Sequence, residues 1–147
     1  MKIALGSDHA GYDLKEIIKV YLSPLGVQVT DVGTTSKTSV DYPDYAESVA
    51  RELLAGKAEK GILVCGTGVG VSMAANKFPE IRAAVAWNIE IARLSRQHND
   101  ANILCLPARF IDPDAALAMV QAWLDTPFEG GRHQRRLEKV AALGTRN

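Results

Sequence analysis

The sequence predicts an α/β fold: a three-layer α/β/α sandwich around a five-stranded parallel sheet, Rossmann-like, with an extra C-terminal helix. Three observations predict it. Short apolar runs alternate with longer amphipathic segments along the whole chain. The runs, such as Gly61-Ile62-Leu63-Val64-Cys65 and Ile103-Leu104-Cys105-Leu106, have no polar position at every second residue. A strand of that kind is covered on both faces. The segments between the runs are long enough for the helical crossovers that parallel strands require.

The first strand is expected over Lys2–Gly6. A helix near 11–25 follows, in which Leu14, Ile17, Ile18 and Tyr21 fall at i, i+3, i+4 and i+7. A second strand, Val27–Val32, leads to a helix near 43–56. There Asp41 stands where a cap belongs, Pro43 suits the first turn and Asp44 complements the dipole. The third strand, Gly61–Cys65, runs into Gly66-Thr67-Gly68-Val69-Gly70-Val71-Ser72 and a helix near 69–78. A fourth, Ala83–Trp87, precedes a helix near 88–98. A fifth, Asn102–Pro107, precedes helices near 113–124 and 132–143, divided by the turn Phe128-Glu129-Gly130-Gly131. The last helix is expected outside the core, on a partner subunit. The pattern leaves the strand order open.

The 147 residues suit one domain, 1–147, with a full core. Seventeen basic and seventeen acidic residues cancel, which argues against a general nucleic-acid binder. No stretch approaches the ~20 apolar residues of a membrane span, and the N-terminal residues lack a signal-peptide pattern. Cys65 and Cys105 lie in or at the end of apolar runs, as reduced thiols of a cytosolic protein do. A soluble cytoplasmic protein is expected, with no membrane and no nucleic-acid partner.

Ligands of open α/β sheets bind beyond the carboxyl ends of the strands. Those ends carry Asp8-His9, the Cys65 loop and Pro107-Ala108-Arg109. Cys65 stands between a buried strand and a glycine-rich turn into a helix. Backbone N–H groups there stabilise a thiolate, and any oxyanion held beside it. The plainer reading of a free cysteine is a small buried hydrophobe, and Cys105 is assigned that role. The loop Gly66, Gly68, Gly70 is not a phosphate loop of the Gly-Lys-Ser/Thr type, and it misses the dinucleotide fingerprint. It is either a tight turn or an anion cradle.

Thr67 is a helix cap or a donor to a reacting oxygen. Asp8 and His9 cap the first helix, or bind a sugar hydroxyl and a phosphate. Tyr42 begins a helix and can face the pocket. His98 and Asn99 are ordinary helix-end residues, or a general acid/base with a polar neighbour. Their position is on the opposite edge of the sheet, unless the chain bends or a second subunit supplies them. Arg132-His133-Gln134-Arg135-Arg136 opens a helix with cations, against the dipole. It is solvated surface, or a phosphate site in which Arg132 and Arg136 share a face and Arg109 joins them. No Cys/His spacing matches a zinc site, so no metal and no cofactor are expected. The residues alone describe a site for a small phosphorylated ligand with a thiol, a histidine and an oxyanion cradle.

Six segments together resemble the type B ribose-5-phosphate isomerase family, which also contains allose- and galactose-6-phosphate isomerases. They are Gly6-Ser7-Asp8-His9-Ala10-Gly11, Asp41-Tyr42-Pro43, Cys65 through Ser72, Ala74-Ala75-Asn76-Lys77, Leu94 through Asp100, and Glu129-Gly130-Gly131-Arg132-His133. The resemblance implies an aldose–ketose isomerase working through an enediolate, as a homodimer or dimer of dimers with sites between subunits. It implies Cys65 as the base, the amides of Gly66 through Gly70 around the enediolate oxygen, and Thr67 and His98 in ring opening. Asp8, Tyr42 and Asn99 would bind hydroxyls, and His9, Arg109, Arg132 and Arg136 the phosphate. A six-carbon sugar phosphate, or a phosphate- or nucleotide-binding module without catalysis, stands as the alternative.

Overall fold

The structure is a computed structural model that describes residues 1–144. Its strands are β1 (Lys2–Ser7), β2 (Gln28–Asp31), β3 (Lys60–Cys65), β4 (Ala83–Val85) and β5 (Ile103–Pro107). Its helices are α1 (Tyr12–Leu22), α2 (Tyr42–Leu54), α3 (Val69–Ala75), α4 (Ile89–Gln97), α5 (Pro113–Asp125) and α6 (Arg132–Ala142). The five strands form one sheet in the order β2-β1-β3-β5-β4, and every pairing is parallel.

The layers follow from the strand sequences. Ile3, Leu5, Ile62, Val64, Leu104 and Leu106 face one way and pack on Leu14 and Ile18 of α1, Ala92 of α4 and Met119 and Trp123 of α5. Their neighbours Ala4, Leu63, Cys65, Ile103 and Cys105 face the other way and meet Val49 of α2 and Val71 of α3. The two-faced burial read from the apolar runs is therefore the arrangement the chain adopts. Helix α6 stands outside both layers, and most of its residues are exposed.

Several boundaries differ from the sequence expectation, each for a local reason. The first helix stops at Leu22 rather than 25, because Pro24 converts Ser23–Leu25 into a 3₁₀ turn closed by Gly26 at φ 76°. The helix expected to 78 ends at Ala75. There Asn76 turns its side chain onto the backbone of Ala83, donating to the carbonyl at 2.9 Å and accepting from the amide at 2.8 Å. A side chain that competes for backbone partners in this way ends a helix. Asp41 holds the cap position of α2, but its side chain makes no capping bond. Asn88 caps α4 instead, accepting from the Ile91 amide at 2.8 Å.

Candidate active site

In this strand order, β2 lies on one side of β1 and β3 on the other. The connections leaving β1 and β2 thus diverge, which opens a crevice at the carboxyl ends of β1 and β3. Asp8 follows β1 and Cys65 ends β3, so both stand at that crevice.

Cys65 is 5% exposed, and its Sγ accepts a hydrogen bond from the Gly68 amide at 3.1 Å. The cap position of α3 is Gly68, three residues beyond the sulfur, at φ 75°. A side chain at 68 would be strained by that φ and would also press on Leu106 and Pro107, 3.2 and 3.3 Å from its Cβ. Glycine is what lets this amide turn back onto sulfur. Thr67 is not the cap. It is exposed, and its Oγ1 accepts from the Val69 amide at 3.2 Å. Cys105 behaves as the plainer reading has it: it is fully buried, and burial, with the nearby Cys65, pushes its thiol well up.

Tyr42 opens α2 and lays its ring against Gly70. A Cβ at 70 would lie 2.7 Å from Cζ and 2.9 Å from Cε2. Glycine here is a matter of close approach, and it keeps the tyrosine beside the loop. Asp8 is 9% exposed, and its Oδ1 accepts from the Gly11 amide at 3.1 Å. Asp8 thus closes the turn that leads into α1 rather than capping the helix, whose cap position is Gly11 and has no side-chain capping bond. His9 takes a different partner: its Nδ1 accepts from the Val40 amide at 3.2 Å. A nitrogen that accepts carries no proton, so the neutral ring holds its hydrogen on Nε2 as a donor. Arg109 lies over the loop, its Nη1 3.2 Å from where a Cβ of Gly66 would stand. Its backbone N–H donates to the Gly66 carbonyl at 3.1 Å.

Cys65, Thr67, Gly66, Gly68, Gly70, Asp8, His9, Tyr42 and Arg109 are thus gathered at the carboxyl edge of the sheet. The other four are not. His98 ends α4 and Asn99 follows it, just before β5 begins, which is the amino edge. Arg132 and Arg136 lie on α6, whose His133 stacks on His98 with centroids 4.3 Å apart. The depth of a five-residue strand, about 16 Å, separates the two groups within one chain. The opposite-edge position read from the sequence for His98 holds, and no bend of the chain relieves it.

Two residues not singled out from the sequence anchor the amino-edge group. Arg96 is buried, and it donates to Asp100 Oδ1 at 2.8 Å, to the Ala101 carbonyl at 2.8 Å and to the Thr126 carbonyl at 3.1 Å. It ties the end of α4 to the starts of β5 and of the α5–α6 connection. Asp100 takes φ 46° in that turn and is also held by Arg82 at 3.4 Å. An arginine in an amphipathic helix reads as surface, so the one signal was its place among buried neighbours on the α4 face. His98, Glu129 and His133 bring their ligand-type atoms within 4.8 Å of one another. Their two rings are nearly parallel, 16° apart. Stacked rings do not aim two lone pairs at one ion, so the group does not form a preorganised metal site.

A family model described as Ribose/Galactose Isomerase matches residues 3–140. The ribose-5-phosphate isomerase B of Escherichia coli is 49% identical over 145 residues, covering 99% of this chain and 97% of that protein. A crystal structure of a ribose 5-phosphate isomerase from Thermotoga maritima superposes with a TM-score of 0.95 at 51% identity, over 97% of this chain and 98% of the other. A ribose-5-phosphate isomerase B from Mycoplasma genitalium, with bound ribulose-5-phosphate, superposes with a TM-score of 0.94 at 41% identity, over 99% of this chain and 97% of the other.

Proposed function

The chain belongs to the ribose/galactose isomerase family, and from that premise we propose that it interconverts ribose 5-phosphate and ribulose 5-phosphate through an enediolate, with Cys65 as base. Such a step belongs to the pentose phosphate pathway. The observation that carries the reading is the Cys65 sulfur, almost enclosed, at the sheet's switch point with the Gly68 amide donating to it. A sulfur hydrogen-bonded in this way is prepared to take a proton and give it back.

The step balances without a cofactor or metal. With the sugar ring open, the thiolate of Cys65 takes the proton from C2. The C2–H electrons form the C1–C2 double bond, and the C1 carbonyl pair moves onto O1. A proton passes from the C2 hydroxyl to O1, and the thiol returns its proton to C1 as the C2 carbonyl forms. The oxygen that gathers charge needs donors already in place. The amides of Gly66 through Gly70 supply them, those of Gly68 and Val69 shared with Cys65 and Thr67, and one such donor is typically worth ~3–4 kcal/mol. Thr67 and His98 open the furanose ring. Asp8, Tyr42 and Asn99 hold hydroxyls. Arg109, Arg132, Arg136 and the Nε2 of His9 hold the phosphate, whose binding energy positions the reacting carbons.

Because His98, Asn99, Arg132 and Arg136 stand at the amino edge, this reading calls for a second copy of the chain to bring them to Cys65. The protein then works as a homodimer or a dimer of dimers. No helix among the described residues is long and apolar enough to cross a membrane. A cytoplasmic place is part of the same proposal.

The test is kinetic. The wild-type protein should show a higher kcat/KM on ribose 5-phosphate than on six-carbon aldose 6-phosphates. Cys65→Ala should lose at least about a hundredfold in kcat while KM stays within about tenfold, as expected when a group acts mainly in the transition state. A preference for allose or galactose 6-phosphate would move the substrate. Unchanged turnover in Cys65→Ala would remove the base assignment, and sugar-phosphate binding without turnover in the wild type would leave a binding module.

A further inference from the structure

The segment Glu129-Gly130-Gly131-Arg132-His133 does more than carry Arg132. Gly130 and Gly131 take φ 70° and 58° in succession, a reversal that side chains resist. The Glu129 amide donates to the Gln97 carbonyl at 3.1 Å, which stitches this turn to the last residue of α4. The reversal places His133 beneath His98. His133 is the one buried residue of α6.

The other residues of α6 are exposed or half-buried. The contact between the two rings is thus the joint between the end of α4 and the first turn of α6. Arg132 is the neighbour of His133, and Arg136 lies one turn further along the helix.

Resting on the roles given above to His98, Arg132 and Arg136, we propose that His133 is a positioning residue. Its buried ring fixes the plane of the His98 imidazole and, through the same contact, the place from which α6 presents its two arginines. A flat partner under His98 covers one face of that ring and limits its rotation, leaving the other face open. The groups facing His133 are His98 from α4, Glu129 from the turn, 3.7 Å from its Nε2, and Arg132 and Arg136 from α6. Burial first, then the neighbouring His98 and Arg132, holds His133 below the ordinary histidine value. The shift favours the neutral form of the ring, as suits a stacked positioning group.

The experiment uses the full chain with two variants. His133→Leu keeps the buried volume but removes the flat ring, and His133→Phe keeps a flat ring but removes both nitrogens. Steady-state kinetics with ribose 5-phosphate, thermal melts, and NMR of the His98 ring without sugar are measured on each. We expect His133→Leu to lower kcat by about tenfold or more and to raise KM, since a displacement near 1 Å costs up to about a hundredfold. His133→Phe should restore both to within about threefold, and the His98 ring signals should move in the leucine variant and return toward wild type in the phenylalanine variant.

Equal loss in both variants would assign His133 to direct contact with substrate and overturn the proposal. A lowered melting temperature with unchanged kcat and KM would leave it a packing residue and overturn it too. The NMR signals separate this test from the functional reading. If the wild type does not isomerise the sugar at all, the function fails, while the movement of His98 still reports whether the stack holds that ring.

Discussion

The tightest constraints at the candidate site are set by single atoms. A methyl group at position 70 would lie inside the van der Waals envelope of the Tyr42 ring, 2.7 Å from Cζ and 2.9 Å from Cε2. The ring must swing away or the backbone must shift, and overpacking of this kind costs about 1–3 kcal/mol. Gly70→Ala should therefore lower the melting temperature and reduce kcat/KM on ribose 5-phosphate by about tenfold. Adding Tyr42→Ala should recover the stability but not the activity. If Gly70→Ala melts and turns over like the wild type, Tyr42 is not seated on the loop. The two cysteines make the same point about residue scale. They differ by two positions of register on neighbouring strands, yet one is sealed in the core and the other receives an amide at the strand end.

At the scale of elements, the join between α1 and β2 rests on a charged knot. Lys15 is 1% exposed and donates to Asp31 Oδ2 at 2.6 Å. Lys19 donates to the same oxygen at 2.7 Å, and the Gly33 amide donates to Oδ1 at 2.9 Å. Burial pushes the Asp31 carboxyl up, but the bonds from Lys15, Lys19 and Gly33 together outweigh it and hold the group below its ordinary value. A carboxylate lowered by folding stabilises the fold at pH above its unfolded value, near 3.9. That contribution is lost as pH falls through the folded value.

Asp31→Asn should cost about 3 kcal/mol at pH 7, because among the described residues the buried Lys15 ammonium keeps Glu16 as its one carboxylate partner, beside the Tyr12 ring. It should also flatten the acid loss of stability below about pH 4. Urea unfolding at a series of pH values checks both. An unchanged acid limb would show that other carboxylates carry it. None of this network is visible as such in the sequence, where Lys15 falls among apolar helix positions and reads as a mismatch.

At the scale of the whole molecule, the proposed site is divided between the two edges of the sheet. If a second copy joins them, a Cys65→Ala chain and a chain carrying Arg132→Ala with Arg136→Ala are each nearly inactive. Refolded together, about half the dimers are mixed, and each mixed dimer holds one intact site. Activity should return to roughly a quarter of wild type. No recovery in the mixture, with mixed dimers demonstrated, would place the complete site within a single chain.

What the sequence determined by itself is local. Apolar runs with no alternating face require cover on both sides, so the three layers and the helical crossovers were legible, as was the thiol at the mouth of a glycine turn. Helix ends were less legible where a side chain chose a distant backbone partner, as Asn76 does with Ala83. The place of His98 on the edge opposite Cys65 was legible too, but strand order, the Val40 amide on His9 and the seat of His133 under His98 were decided only by the tertiary structure. Each depends on a contact between segments far apart in the chain, and periodicity records which face a residue buries without recording what it meets there.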